Sequence, residues 1–253
     1  MTTNIPPKII FTDVDDTLTL HGELPVDTLI ALYKLRDANI EVIPVTGACA
    51  GWCDQMARLW PVSAVIGENG AFCIERNEAG LRYIETQQES QRRDHHRRLT
   101  DIASQVLAMF PKLALAQDNT YRRYDLAIDY NQQRKGSSDA EIQAALDFIH
   151  ANGFKATASS IHINVWLGQH DKKQGALQWL ARHRPQWTEP QIKQHCAYIG
   201  DSLNDDAMFG YFTNTAAVAN IAPFYDKLHH KPQQIMSLPG GAGFSEWVDG
   251  LLR

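Results

Sequence analysis

Lys8-Ile9-Ile10-Phe11-Thr12-Asp13-Val14-Asp15-Asp16-Thr17 is an apolar run that passes straight into acidic side chains. Ile9, Ile10 and Phe11 have the character of a short strand buried on both faces, as in a parallel sheet covered by helices. In open α/β sheets ligands lie in the crevice beyond the carboxyl ends of the strands, so Asp13 and Asp15 are expected to face such a crevice. Residues i and i+2 of an extended stretch share a face. Two carboxylates held side by side need a cation or a proton between them, and a bound metal meets that need.

A second segment of the same kind lies far downstream. Ala197-Tyr198-Ile199-Gly200-Asp201-Ser202-Leu203-Asn204-Asp205-Asp206 is again an apolar run followed by a glycine and carboxylates. Aspartate oxygens from two converging strand ends suit Mg²⁺, which takes one or two carboxylates, several waters and a substrate phosphate. Between the clusters stand Thr46-Gly47, after the apolar run that ends at Val45, and the pair Lys172-Lys173. A hydroxyl and an ammonium are groups that bind a phosphoryl oxygen.

These four pieces, in this order, resemble the motifs of the haloacid dehalogenase (HAD) superfamily: Asp-x-Asp-x-Thr, a Ser or Thr at a strand end, a Lys, and Gly-Asp-x-x-x-Asp. The first and last are the specific ones; Thr46-Gly47 and the lysine take their meaning from order and spacing. The stretches Ile66-Gly67-Glu68-Asn69-Gly70-Ala71 and Gly240-Gly241-Ala242-Gly243-Phe244 resemble the class IIB branch, which contains sucrose-phosphate, trehalose-phosphate and mannosyl-phosphoglycerate phosphatases. The resemblance implies an α/β fold, a doubly wound parallel-sheet (HAD, Rossmann-like) core with an inserted α+β cap domain. Residues 1–86 and 168–253 would form the core, and residues 87–167 the cap that governs substrate specificity.

Composition sets outer limits. A chain of 253 residues is long enough for one large unit with a smaller insertion. A net charge of −5 argues against general nucleic-acid binding. No apolar stretch reaches the roughly 18 residues of a membrane span, and Met1 to Lys8 lacks the order of a signal peptide, so a cytoplasmic location is expected. Cys49, Cys53, Cys73 and Cys196 lack paired zinc-type spacing and are expected to be reduced core thiols. Oligomeric state is not legible.

Along the chain, the alternation of apolar runs and helical spacing gives strand 9–11, helix 25–39, strand 40–45, helix 52–60 and strand 62–66. A hairpin is expected over 71–75 and 81–85, around Asn77-Glu78-Ala79-Gly80. The insertion is expected to hold helix 90–110, strands 113–116 and 124–129, helix 139–152 with a Ser138/Glu141 capping box, and strands 155–158 and 161–166. The core then resumes with helix 173–183, strand 196–199, helix 204–211, strand 215–218 and helix 244–252. The basic run Arg92 to Arg98 is expected to be a solvated helix face.

The resemblance also implies roles. Asp13 would be the nucleophile that forms an aspartyl-phosphate, and Asp15 the general acid and then base. Asp13, the main-chain carbonyl of Asp15 and Asp201 would hold Mg²⁺, with Asp205 orienting a water or the lysine from behind them. Thr46, Gly47 and one lysine would bind phosphate; Lys172 is favoured over Lys173 because it follows Asp171 directly. Asn204 would either position the phosphate loop or cap the following helix, and Asp206 would be a solvated helix residue. Asp16 departs from the glycine commonest at its position. Glu68, Asn69, Arg122, Arg123, Asp125, His162 and Asn164 are candidates for contacting the substrate. The implied activity is hydrolysis of a small phosphorylated metabolite, with a sugar phosphate first in line. A nucleotide or a phosphorylated cofactor such as pyridoxal phosphate, a phosphomutase reaction, and a non-catalytic phosphometabolite sensor are the alternatives.

Overall fold

The computed structural model describes residues 6–253. The first five residues, and with them most of the Met1–Lys8 segment, lie outside the described residues. At the centre is a five-stranded parallel sheet. Its strands are β1 (Ile9–Thr12) and β2 (Glu41–Pro44), then, late in the chain, β10 (Cys196–Gly200), β11 (Asn214–Ala217) and β12 (Gln234–Ile235), in the spatial order β12-β11-β10-β1-β2. All four residues of β1 are fully buried, and they alternate between two cores. Ile10 packs with helices α1 (Val26–Asp37), α2 (Ala50–Leu59) and α8 (Gly240–Leu251), whereas Ile9 and Phe11 pack with α5 (Lys172–His183) and α7 (Asp206–Tyr211). That two-sided burial is why the strands are uninterrupted apolar runs instead of alternating ones.

Beyond β2, the strand β3 (Ala64–Gly67) touches the parallel sheet at one bridge, Val45 to Ile66, and then pairs antiparallel with β4 (Phe72–Asn77), which hairpins into β5 (Gly80–Glu85). The chain next enters α3 (Glu89–Met109) and a separate four-stranded antiparallel sheet ordered β6-β7-β9-β8. Its members are β6 (Ala114–Leu115), β7 (Asp125–Asp129), β8 (Lys155–Ala158) and β9 (His162–Trp166), with α4 (Asp139–Ala151) between β7 and β8. This sheet, α3 and α4 enclose their own apolar cluster around Ile102, Val106, Ile128, Ile149 and Ile163. At the start of α4, Ser138 and Glu141 form a reciprocal capping box.

Several boundaries differ from the sequence expectation. Helix α8 starts at Gly240, not at 244, because its glycines serve close approach and not a loop: a Cβ on Gly241 would lie 1.9 Å from the Thr28 hydroxyl of α1. Residues 203–205 form a 3₁₀ turn before α7. A short helix, α6 (Glu189–His195), was not expected; it carries no fully buried residue and so has no apolar stripe to announce it. Its signal was local, a Thr188/Gln191 capping box with Pro190 in the first turn. The four cysteines are buried and free. Among the described residues no helix is long and apolar enough to cross a membrane.

Candidate active site

The chain leaves β1 toward β2 on one side and returns to β10 on the other. β1 is therefore the place where the winding reverses, and the crevice lies beyond its carboxyl end. In-register pairing of Thr12 with Ile199 and of Thr12 with Pro44 brings Asp13, Asp201 and Thr46 to this one edge. The Asp13 main-chain N–H donates to the Ile199 carbonyl at 3.0 Å, which carries the pairing one residue further.

Asp13 is held at both oxygens. The Val14 N–H donates to Oδ1 at 2.8 Å, and the Lys172 ammonium stands 2.9 Å from Oδ2. Lys172 is 3 % exposed and also donates to Asp205 at 2.7 Å. Its position depends on two glycines: a Cβ on Gly70, whose φ is +99°, would lie 2.2 Å from the Asp171 carbonyl, and one on Gly175 would lie 2.8 Å from the Gly70 Cα. This close approach seats the first turn of α5 against the Glu68–Gly70 turn. Lys173, one residue on, is only partly buried, and the buried partner of Asp13 is Lys172.

Asp201 is oriented by the threonine that closes the first motif, for which no role was read from the sequence, and by Asn220, which no motif contains. The Thr17 hydroxyl donates to its Oδ1 at 3.1 Å, and the Asn220 amide donates to its Oδ2 at 3.1 Å. Asn220 also donates to the Asp16 carbonyl and accepts from the Gly240 N–H. It sits just past β11, and the rule that chemistry gathers after strand ends would have marked it. Asp205 accepts from Lys172, from the Tyr198 hydroxyl and from the N–H groups of Asp201 and Ser202. A Cβ on residue 200 would lie 2.3 Å from an Asp205 oxygen, so the glycine of the Gly200-Asp201 pair is a steric requirement.

The carboxylates of Asp13, Asp201 and Asp205 can each place an oxygen within 4.8 Å of the others. Burial first, and then the neighbouring carboxylates, push both Asp13 and Asp201 above the ordinary carboxylate range, with Lys172 pulling the other way. Burial and then the adjacent Asp16 raise Asp15 to about 6. A pocket of buried, mutually repelling oxygens is one that a hard cation relieves.

A cleft of about 240 Å³ opens over Asp13 and Asp15, between the parallel-sheet core and the inserted sheet. Gly47 and Asn204 line it, with His162 and Asn164 from the insertion. Thr46 is fully buried beside it, its hydroxyl oxygen accepting the Ala48 N–H at 3.0 Å. Asn204 lies inside the 3₁₀ turn and accepts from the Ser202 hydroxyl, so it is not a helix cap.

Other candidates stand elsewhere. Arg123 points away from the cleft and pairs with Glu85, while its neighbour Arg122 turns inward. Asp125 is buried against Arg122 and Asn164 behind the lining. Glu68 is fully buried and accepts from the main-chain N–H groups of Ala50, Arg123, Tyr124 and Asp125, so it fastens the insertion to the core and does not reach into the cleft. Asn69, at φ +55°, is buried with its side chain facing Gly47. Asp206 is not simply solvated; it accepts from the main-chain N–H groups of His229 and His230. Arg92, at one end of the basic helix run, is drawn in to Glu85, and the rest of that run stays largely exposed.

Comparison with known proteins matches residues 6–238 to the family model described as sucrose-6F-phosphate phosphohydrolase. A phosphoglycolate phosphatase of Pyrobaculum neutrophilum is 26 % identical over 248 residues, covering 97 % of this chain and 96 % of that protein. Among solved structures, a Synechocystis sucrose-phosphatase in complex with sucrose and phosphate superposes with a TM-score of 0.67 at 14 % identity, covering 98 % of each chain. A sugar phosphatase of HAD subclass IIB gives 0.63 at 12 % identity, covering 96 % of this chain and 99 % of that one. With the family model spanning nearly the whole chain, the protein belongs to the sucrose-6F-phosphate phosphohydrolase family and is a phosphatase, a phosphoric monoester hydrolase.

Proposed function

We propose that this chain is a Mg²⁺-dependent phosphatase that hydrolyses a small sugar phosphate through an aspartyl-phosphate on Asp13. The observation that carries the reading is the fixed Asp13 carboxylate, held by the Val14 N–H and the Lys172 ammonium at the floor of a cleft. Asp13 attacks phosphorus as the bond to the leaving oxygen breaks, and that oxygen takes a proton from Asp15. Asp15 then accepts a proton from the water that attacks the aspartyl-phosphate, which releases inorganic phosphate and restores Asp13. Lys172 places positive charge beside the transferring group, the largest need of a loose phosphoryl transition state. The Thr46 hydroxyl, whose oxygen is occupied by the Ala48 N–H, keeps its hydrogen for a phosphate oxygen, and the Gly47 N–H is the second donor.

The donor set fits Mg²⁺. Asp205 is already engaged by four donors, which leaves Asp13, Asp201 and the Asp15 carbonyl to hold the ion. When bound, it supplies charge that neutralises the phosphoryl oxygens. The inserted sheet would act as a cap that keeps bulk water out.

The test is inorganic phosphate release from sugar phosphates, phosphoglycolate, nucleotides and pyridoxal phosphate, with and without Mg²⁺, with Asp13→Asn as the blank. Metal-dependent release that disappears in the variant is expected. Tight binding of one compound without release of phosphate would move the reading to a sensor, and an isomerised sugar phosphate to a mutase.

A further inference from the structure

The cleft has two unlike walls. Trp52, Gln55 and Met56 of α2, with Trp60 at its boundary, fall at i, i+3, i+4 and i+8, one face of a helix, and all four line the cavity that contains Asp13 and Asp15. Met56 and Trp60 are nearly buried, but the Trp52 indole is 56 % exposed. The lining that comes from the insertion is mostly polar, with Gln132, Ser159, His162 and Asn164 beside the single aliphatic side chain of Ile161. A ligand with a C–H face on one side and hydroxyls around its edge matches both walls at once.

Charge narrows the class further. Arg122 is the one Lys or Arg side chain among the described residues lining the cleft. Its Nε and Nη2 donate to Asp118, and its Nη1 donates to Asp125 and to the Gly47 carbonyl, so four of its five N–H groups are engaged. Two carboxylates already balance it. His162 is held down to about 4 by burial and then by the Arg122 charge, and adds no positive charge at neutral pH. A carboxylate on the leaving group would lose its water here and find no free cation.

We propose that α2 forms a stacking platform in which Trp52 is a specificity-determining residue, selecting a neutral, hydroxylated ring as leaving group over a short carboxylate-bearing one such as glycolate. The inference rests on the phosphatase reading above, and it sets this chain apart from its phosphoglycolate phosphatase relatives.

The experiment measures kcat and KM of the Mg²⁺-loaded protein on glucose 6-phosphate and phosphoglycolate, for wild type, Trp52→Ala and Trp52→Phe. Because Trp52 is more than half exposed, both variants are expected to keep the wild-type melting temperature. Trp52→Ala should lower kcat/KM on the hexose phosphate about tenfold, mainly through KM, and Trp52→Phe should recover most of that loss. On phosphoglycolate the alanine variant should stay within about twofold of wild type. Equal losses on both substrates, or a wild-type preference for phosphoglycolate, would overturn the proposal. Calorimetric binding of glucose 6-phosphate to Asp13→Asn, with and without Trp52→Ala, separates the two readings. Trp52-dependent binding without turnover in the wild type would keep the platform and remove the phosphatase, whereas Trp52-independent binding would remove the platform.

Discussion

Asn220 shows how much of this site is set by residues that hold other residues. Its amide nitrogen donates to the Asp201 carboxylate and to the Asp16 carbonyl, at 3.1 and 2.9 Å, and its oxygen accepts the Gly240 N–H at 3.0 Å. Asp201 is thereby fixed on the side opposite Thr17. Groups that orient a metal's carboxylate typically carry a 10- to 100-fold effect on affinity. Asn220→Ala is therefore expected to weaken Mg²⁺ binding by at least about tenfold, read by calorimetric titration of the metal alone. An unchanged metal affinity would mean that Thr17 suffices to orient Asp201.

Elements were legible where burial left a pattern. The core strands are apolar runs ending in Asp, Thr-Gly or Gly-Asp, and the register of the parallel sheet then forces those ends together. Helix α6 and the first turn of α8 were not legible, the first because it lacks an apolar stripe and the second because its glycines make close tertiary contacts, Gly240 with Thr19 and Leu20 and Gly241 with Thr28 of α1, that propensity does not encode. Which of Arg122 and Arg123 faces the cleft could not be read either, since both lie outside the strand β7 and no period-two pattern applies. The segment between β9 and α5 carries a consequence for pH. His170 there is 7 % exposed, and burial, then the charges of Lys155 and His95, hold it down to about 4 from an ordinary 6.5. The folded protein keeps this imidazole neutral where the unfolded chain protonates it. Its contribution to stability is thus full above pH 6.5 and is lost as pH falls toward 4. Wild type should lose more stability than His170→Gln between about pH 7.5 and pH 5 in urea unfolding. Parallel losses would show that another group sets the acid limb.

At the scale of the molecule, the parallel-sheet core and the inserted sheet are joined by chain at two places and clasped at a third. The clasp is Glu68, at φ +43°, in the turn after β3. Its carboxyl oxygens take the Ala50 N–H at the start of α2 and the N–H groups of Arg123, Tyr124 and Asp125 at the start of β7. Arg122 adds a bond from the insertion to the Gly47 carbonyl at 2.9 Å. Arg122 therefore sets the insertion relative to Gly47, and the helix that carries Trp52 is set by Glu68. Removing Glu68 leaves several buried N–H donors without an acceptor, each at a cost of about 1–3 kcal/mol. Glu68→Ala should destabilise the fold by about 3 kcal/mol or more, and Glu68→Gln, which keeps one acceptor oxygen, by less. The decisive readout is local: amide exchange at Tyr124 and Asp125 should accelerate in Glu68→Gln, while amides of β1 and β10 stay as protected as in wild type. Uniform acceleration across both sheets would mean that Glu68 supports the whole fold and is not a clasp. Unchanged exchange at Tyr124 and Asp125 would mean that the other contacts between the two parts, among them Arg122 to the Gly47 carbonyl and the stacking of Tyr124 on Phe72, suffice to hold them together.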